Sequence, residues 1–217
     1  RIKNELLDTE EYADAGRYEQ TIAAVYAKYN DALLKSNAFD FDDLIEKVVR
    51  IFQDHPTVLE KYQQRWQHVL VDEFQDVNTN QYMFVKLLAM KHRNLFVIGD
   101  DAQSIYAFRG SDFRNFLNFE KDWENATVIM LDENYRSTQN IIAAASALIK
   151  NNKFQKPKNL WTKNAEGELI HLLAFQNADE EAQVIAGKIK DALRAEELPK
   201  DIAILYRTNA QSRTLEQ

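Results

Sequence analysis

Apolar positions along the first third of the chain recur at spacings of three and four. Ala15, Tyr18, Ile22, Val25, Tyr29 and Leu33 fall on one face of a helix that breaks at Ser36-Asn37. Phe41, Leu44, Ile45, Val48 and Phe52 mark a second helix with Asp40 as its N-cap, and Pro56 opens a third that ends near Arg65. The period then changes. His68-Val69-Leu70-Val71 is a short apolar run ending in acids, the pattern of a buried strand, and Leu95-Phe96-Val97-Ile98 is a second, stopped by Gly99-Asp100. A helix from Gln81 to Met90 lies between them, and another follows near Asp112–Glu120. Thr127–Leu131 is expected as a third strand, followed by a helix capped by Ser137 and running to Lys150. Leu169–Phe175 and Ile202–Tyr206 are expected as further strands around a helix from Asp179 to Ala195. Strands alternating with helices predict an α/β fold with parallel sheets. The pattern fits two sheets, divided near residue 131.

Bulk composition narrows the class. The chain has 217 residues, 45% of them hydrophobic, which is globular rather than disordered. No apolar run spans a bilayer and the first residues have no apolar signal core, so a cytoplasmic, non-membrane protein is expected. The absence of cysteine excludes disulfides and thiolate metal sites. A net charge of −7 argues against holding nucleic acid by bulk positive charge, but not against a local groove with stacking aromatics. Lys150, Lys153, Lys156, Lys158 and Lys163 form a basic stretch, expected as a solvated connector, with a phosphate-facing patch as the alternative.

Three junctions carry chemistry. Val69-Leu70-Val71-Asp72-Glu73 brings two carboxylates to the C-terminal edge of a strand, where α/β folds bind ligands. The first can hold Mg²⁺, which needs only one or two protein carboxylates when phosphates share it. The second can orient and deprotonate a water. The plain alternative is an acidic turn. A polar loop, Gly99 to Gly110, then carries an amide (Gln103), two aromatics (Tyr106, Phe108) and Arg109; the alternative for the rings is core packing. Leu131 to Ile141 joins the third apolar run to a helix and carries Tyr135 and Arg136, the latter with a surface ion pair as its alternative.

The string Asp72-Glu73-Phe74-Gln75-Asp76-Val77-Asn78 closely resembles motif II of superfamily 1 DNA helicases of the UvrD/Rep/PcrA type. Gly99-Asp100-Asp101-Ala102-Gln103-Ser104-Ile105-Tyr106-Ala107-Phe108-Arg109-Gly110 resembles motif III, and Leu131-Asp132-Glu133-Asn134-Tyr135-Arg136-Ser137-Thr138-Gln139-Asn140-Ile141 resembles motif IV. Phe39-Asp40-Phe41-Asp42-Asp43-Leu44 is similar to a signature upstream of motif II. Residues 203–213 resemble a second-domain strand and turn, to which no catalytic role is given.

The resemblance implies ATP and Mg²⁺ as cofactors and single-stranded DNA with a duplex junction as partner. It implies Asp72 and Glu73 at the metal, Glu73 as general base, Gln103 and Arg136 on the γ-phosphate and Tyr135 stacked on adenine. It places Phe41, Tyr106, Phe108 and Arg109 on the DNA path; the family often has Trp where this chain has Phe108. The implied activity is 3′-to-5′ translocation and unwinding in repair or replication. Alternatives are the motor of a helicase–nuclease and a non-enzymatic DNA- or partner-binding module. No Gly-x-x-x-x-Gly-Lys-Ser/Thr occurs, so the chain is expected to be an internal segment, inactive alone. The expected layout is a helical remnant of an insertion (1–36), a partial first RecA-like motor domain (37–130) and the start of a second RecA-like domain (131–217).

Overall fold

The computed structural model describes residues 2–7, 12–13 and 16–216. The chain forms two compact units, one comprising Arg1–Ser137 with Ile142–Lys163 and the other Thr138–Ile141 with Asn164–Gln217. In the first unit, helix α1 (Arg17–Lys35) precedes α2 (Asp43–Asp54) and α3 (Pro56–Arg65). Strand β1 (Val69–Val71), helix α4 (Thr79–Ala89) and strand β2 (Leu95–Val97) follow. Two single-turn helices, α5 (Arg114–Leu117) and α6 (Phe119–Asp122), occupy the predicted 112–120 helix. Asn118, at φ −91° and ψ 3°, separates them. Helix α7 spans Gln139–Ile149.

The strands pair in parallel, Val69 with Leu95, Leu70 with Phe96 and Val71 with Val97. Alternation then gives the sheet two unlike faces. Val71 and Val97 pack on a cluster of Phe74, Val77, Tyr82, Phe116 and Phe119. Leu70 and Phe96 stay exposed, at 73% and 55%. The expected fully buried strands are therefore covered on one side only, because helices pack on a single face. The α/β class holds with this small parallel sheet. Phe74, with no exposed surface, centres the cluster and meets Tyr82 and Phe119 edge-on at 5.7 and 5.6 Å. Tyr82 donates to Asp122 at 2.5 Å and accepts from Trp123 Nε1 at 3.2 Å. Burial first, then the Asp122 carboxylate, pushes the Tyr82 hydroxyl far above its ordinary value.

Local chemistry sets the helix starts. Asp40 Oδ1 accepts from the Asp43 amide at 2.9 Å and Asp43 Oδ2 accepts from the Asp40 amide at 3.1 Å. This reciprocal pair closes a turn just ahead of α2, whose N-cap is Asp42 rather than the expected Asp40. Asn78 and Gln81 make the same box for α4. Lys3, buried beneath α2, pairs with Asp40 at 2.8 Å and Asp43 at 2.9 Å, and Tyr29 of α1 donates to Asp40 at 2.9 Å. Burial would raise the Asp40 pKa, but the hydrogen bonds from Lys3, the Asp43 amide and Tyr29 outweigh it and hold the carboxyl at about 2.

Three expected strands are absent. Residues 127–131, 169–175 and 202–206 have no regular secondary structure and join no ladder among the described residues. An apolar run states a demand for burial; a strand also needs a neighbour to take its backbone hydrogen bonds, and these runs have no such strand among the described residues. Ile129, Leu172 and Leu205 are 72%, 95% and 94% exposed. Just beyond the first run, Glu133 bridges to Trp161, with Trp161 N donating to Asp132 O at 3.0 Å. The apolar face of α1 is likewise open: Tyr18 and Val25 are exposed and Ala23 alone is buried, while Ala15 lies outside the described residues.

In the second unit, the Gln139 and Asn140 amides donate to the Ala165 and Glu166 carbonyls. Helix α8 (Ala178–Arg194) starts on Asn177, whose side chain accepts from the Glu180 amide at 2.9 Å, and α9 spans Ser212–Glu216. Among the described residues, no helix is long and apolar enough to cross a membrane.

Candidate nucleotide and nucleic-acid site

Asp72 and Glu73 leave the C-terminal edge of β1, and both are exposed. Glu73 sits in the left-handed region at φ 49° and ψ 42°, a conformation that costs a non-glycine residue about 1–2 kcal/mol. Its neighbours fix it there. Buried Phe74 donates its amide to the Ile98 carbonyl at 2.9 Å, and the Asp76 amide donates to the Glu73 carbonyl at 2.9 Å. Asp72 Oδ1 accepts from the Glu73 amide at 2.9 Å. At this strained turn both residues stay exposed to solvent.

Gln75, 1% exposed, links this turn to the loop after β2. Its Nε2 donates to Glu73 Oε2 at 2.7 Å and its Oε1 accepts from the Asp100 amide at 3.0 Å. Ser104 Oγ donates to the Gln75 carbonyl at 3.3 Å. Such an approach requires glycine at position 99, where a Cβ would stand 2.6 Å from Gln75 Oε1 and 2.9 Å from the Phe116 ring. Asp100 in turn holds Gln103, whose Nε2 donates to Asp100 Oδ2 at 2.9 Å. Glu73 and Gln103 are thus connected through two intervening side chains, although neither touches the other.

The loop also holds part of the basic stretch. Lys158 Nζ pairs with Asp100 and, at 2.8 Å, with Asp101; the Lys156 amide donates to Asp101 Oδ2 at 2.6 Å. Burial would raise the Asp100 carboxyl, but hydrogen bonds from Lys158, Gln103 and the Ala102 amide hold it below the usual carboxylate range. Lys158 is raised for the reciprocal reason, its hydrogen bonds to Asp100 and Asp101 exceeding the effect of burial. Lys156 pairs with Glu120 at 2.6 Å and Lys163 with Glu133 at 3.1 Å. The expected solvated connector is therefore corrected for Lys156 and Lys158, which are largely covered and meet acids distant in sequence, whereas Lys163 stays 77% exposed.

Downstream of Gln103, Tyr106 and Phe108 lie 6.0 Å apart, with the Arg109 guanidinium 5.3 and 5.5 Å from their centroids. Tyr106 is 39% and Phe108 79% exposed, and Phe41 is 90% exposed, so core packing does not account for any of the three rings. Tyr135 is exposed and donates to Glu133 at 2.9 Å; that bond, with the carboxylate charge, raises its hydroxyl pKa. Arg136 is exposed, and Asn134 Oδ1 shapes its turn by accepting from the Arg136 and Ser137 amides at 3.0 and 2.8 Å. Among the described residues, no hydrogen bond or ion pair joins Arg136 to Glu73 or Gln103. Sequence reasoning missed Gln75, Asp100 and Lys158. Gln75 stood inside the motif string, and nothing in spacing points to Lys158.

Residues 1–124 match the UvrD/REP helicase N-terminal domain, and residues 129–217 match the UvrD-like helicase C-terminal domain. The chain belongs to the UvrD/REP helicase family. Similar UvrD/REP relatives include the ATP-dependent DNA helicases PcrA of Bacillus subtilis, 50% identical over 99% of this chain, and of Staphylococcus aureus, 47% identical over 100% of it. The PcrA of Leuconostoc citreum is 45% identical over 99%. This UvrD/REP chain spans only 30% of the length of the first of these relatives. Family boundary and compact units differ. Residues 129–137 and 142–163 match the C-terminal family domain yet pack within the first unit.

Proposed function

We propose that this chain is the central segment of an ATP-dependent 3′-to-5′ DNA helicase, carrying the water-activating and phosphate-sensing half of its ATP site and part of its single-stranded DNA path. Residues 37–130 then belong to a first RecA-like motor domain, after an insertion remnant at 1–36, and residues 131–217 open a second. The observation that carries this is the Gln75 link between Glu73 and the Asp100–Gln103 loop, in a chain matched along its length by helicases named PcrA.

The residues present suit Mg²⁺ shared with phosphates. Asp72 and Glu73 are exposed side by side, and the described residues hold no cluster of three or more acidic, His or Cys ligands that would cage an ion by itself. Bound there, Mg²⁺ would neutralise charge on the phosphates. Glu73 orients a water and takes its proton, with the Gln75 amide fixing the carboxylate. Gln103 offers its amide to the terminal phosphate, and Asp100 sets where that amide lies. Arg136 stabilises transition-state charge on the phosphoryl group, and Tyr135 stacks on the base of ATP. Phe41, Tyr106, Phe108 and Arg109 grip single-stranded DNA next to a duplex junction, the rings by stacking and Arg109 by its charge.

The test is Glu73→Gln in the helicase polypeptide that supplies a phosphate-binding loop. DNA-stimulated turnover should vanish while ATP still binds. Normal turnover in that variant rejects the general-base role.

A further inference from the structure

Lys158 contacts neither nucleotide-facing side chain, yet it sits at the head of the chain of contacts that orders both. Its ammonium, with the side chain 14% exposed, bridges Asp100 and Asp101. The Asp101 side chain is 2% exposed, and both of its oxygens are taken by the 156–158 segment, Oδ1 by Lys158 Nζ at 2.8 Å and Oδ2 by the Lys156 amide at 2.6 Å. The Asp100 carboxylate is shared between Lys158, the Ala102 amide and Gln103 Nε2. The Asp100 amide leads through Gln75 to Glu73. Withdrawing one ammonium leaves a nearly buried carboxylate with a single backbone donor and frees the Asp100 carboxylate to turn. Lys158 lies in the stretch that matches the C-terminal family domain, and both aspartates lie in the stretch that matches the N-terminal one.

We propose that Lys158 is a positioning residue for the ATP site, an ionic strap from the C-terminal family domain that sets Asp100, and through it Gln103 and Glu73. This rests on the helicase function proposed above. A partner that fixes geometry without touching the reacting atoms changes rate more than binding, because a misplacement of about 1 Å costs roughly a hundredfold.

The experiment compares Lys158→Ala and Lys158→Arg with the unsubstituted helicase polypeptide, measuring kcat and KM for ATP with saturating single-stranded DNA and amide exchange at Ala102 and Gln103. Lys158→Ala should lower kcat by about tenfold or more with KM for ATP changed by less than about twofold, and exchange at Ala102 should quicken. Lys158→Arg, which retains the charge, should recover most of kcat. An unchanged kcat in Lys158→Ala overturns the strap. So does a loss of thermal stability without a kcat-against-KM split. Where Lys158→Ala fails to fold, Lys158→Arg with wild-type kcat but rapid Ala102 exchange overturns it as well. Absence of any turnover in the unsubstituted polypeptide rejects the helicase function itself, a separate and recognisable failure.

Discussion

Gln75→Glu is a one-atom change at the hinge of the site. The new carboxylate keeps an oxygen where Oε1 accepts from the Asp100 amide at 3.0 Å. It replaces the donor Nε2 by an oxygen 2.7 Å from Glu73 Oε2. Two unit charges that close repel by several kcal/mol even at an effective dielectric of about 20. Glu73 is exposed and can turn into solvent, which discounts that repulsion. What remains is the lost charge-assisted hydrogen bond and the burial of a carboxylate at a position 1% exposed. We expect a deficit of about 2–3 kcal/mol at about pH 8. Burial beside a like charge raises the folded-state pKa of the new carboxyl above its unfolded value. The folded state therefore binds more protons, and the deficit is absent at low pH and grows as pH rises through the raised pKa. Urea unfolding followed by tryptophan fluorescence, at about pH 8 and about pH 4, measures it. Buried Trp123, stacked on Phe119 beside Phe74, reports the surrounding core. Equal deficits at the two pH values, or none at the higher one, would refute the assignment of Gln75 as a donor to Glu73.

Other outcomes follow from the same geometry. Gly99→Ala should destabilise by about 1–3 kcal/mol in chemical unfolding, since its Cβ meets Gln75 and Phe116 at under 3 Å; wild-type stability would show that the loop gives way freely. Phe108→Ala in the helicase polypeptide should weaken single-stranded DNA binding by about 1–3 kcal/mol, with a smaller effect on DNA-free ATP hydrolysis; unchanged affinity in a fluorescence titration removes Phe108 from the DNA path. The Asp40 carboxyl, held at about 2, contributes stability that is present above its unfolded pKa of about 4 and lost as pH falls towards 2. Asp40→Asn should therefore be less stable than the parent near neutrality, with the gap closing between about pH 4 and 2; a gap independent of pH would contradict the Lys3–Asp40–Tyr29 cluster.

Local signals were legible and distant ones were not. Asn78 and Asn177 cap α4 and α8 through hydrogen bonds within three residues, close to the expected starts at Gln81 and Asp179, whereas the N-cap of α2 is Asp42 rather than the expected Asp40. The apolar runs before Asp72 and Gly99 did form strands, because each found the other in register. The runs at 127–131, 169–175 and 202–206 are apolar too, but pair with no strand among the described residues, which no local pattern reports. The exposed rings at Phe41, Tyr106 and Phe108 stood out once family motifs framed them, whereas periodicity alone assigned Phe41 to the core. Lys158 meets its aspartates across 57 and 58 residues, a separation that only the folded chain reveals.

The unpaired apolar runs have a further consequence for the protein in solution. Leu172 and Leu205 stand almost wholly exposed, Val128 to Leu131 show their side chains, and among the described residues β1 and β2 pair with no third strand. Exposed edges of this kind, rich in β-branched and aromatic residues and with no proline within the runs, are templates for intermolecular pairing. This polypeptide at high concentration should therefore self-associate through strand addition. Lysine substitutions at Ile129, Leu172 and Leu205 place a charge on each edge and are the direct way to keep it monomeric.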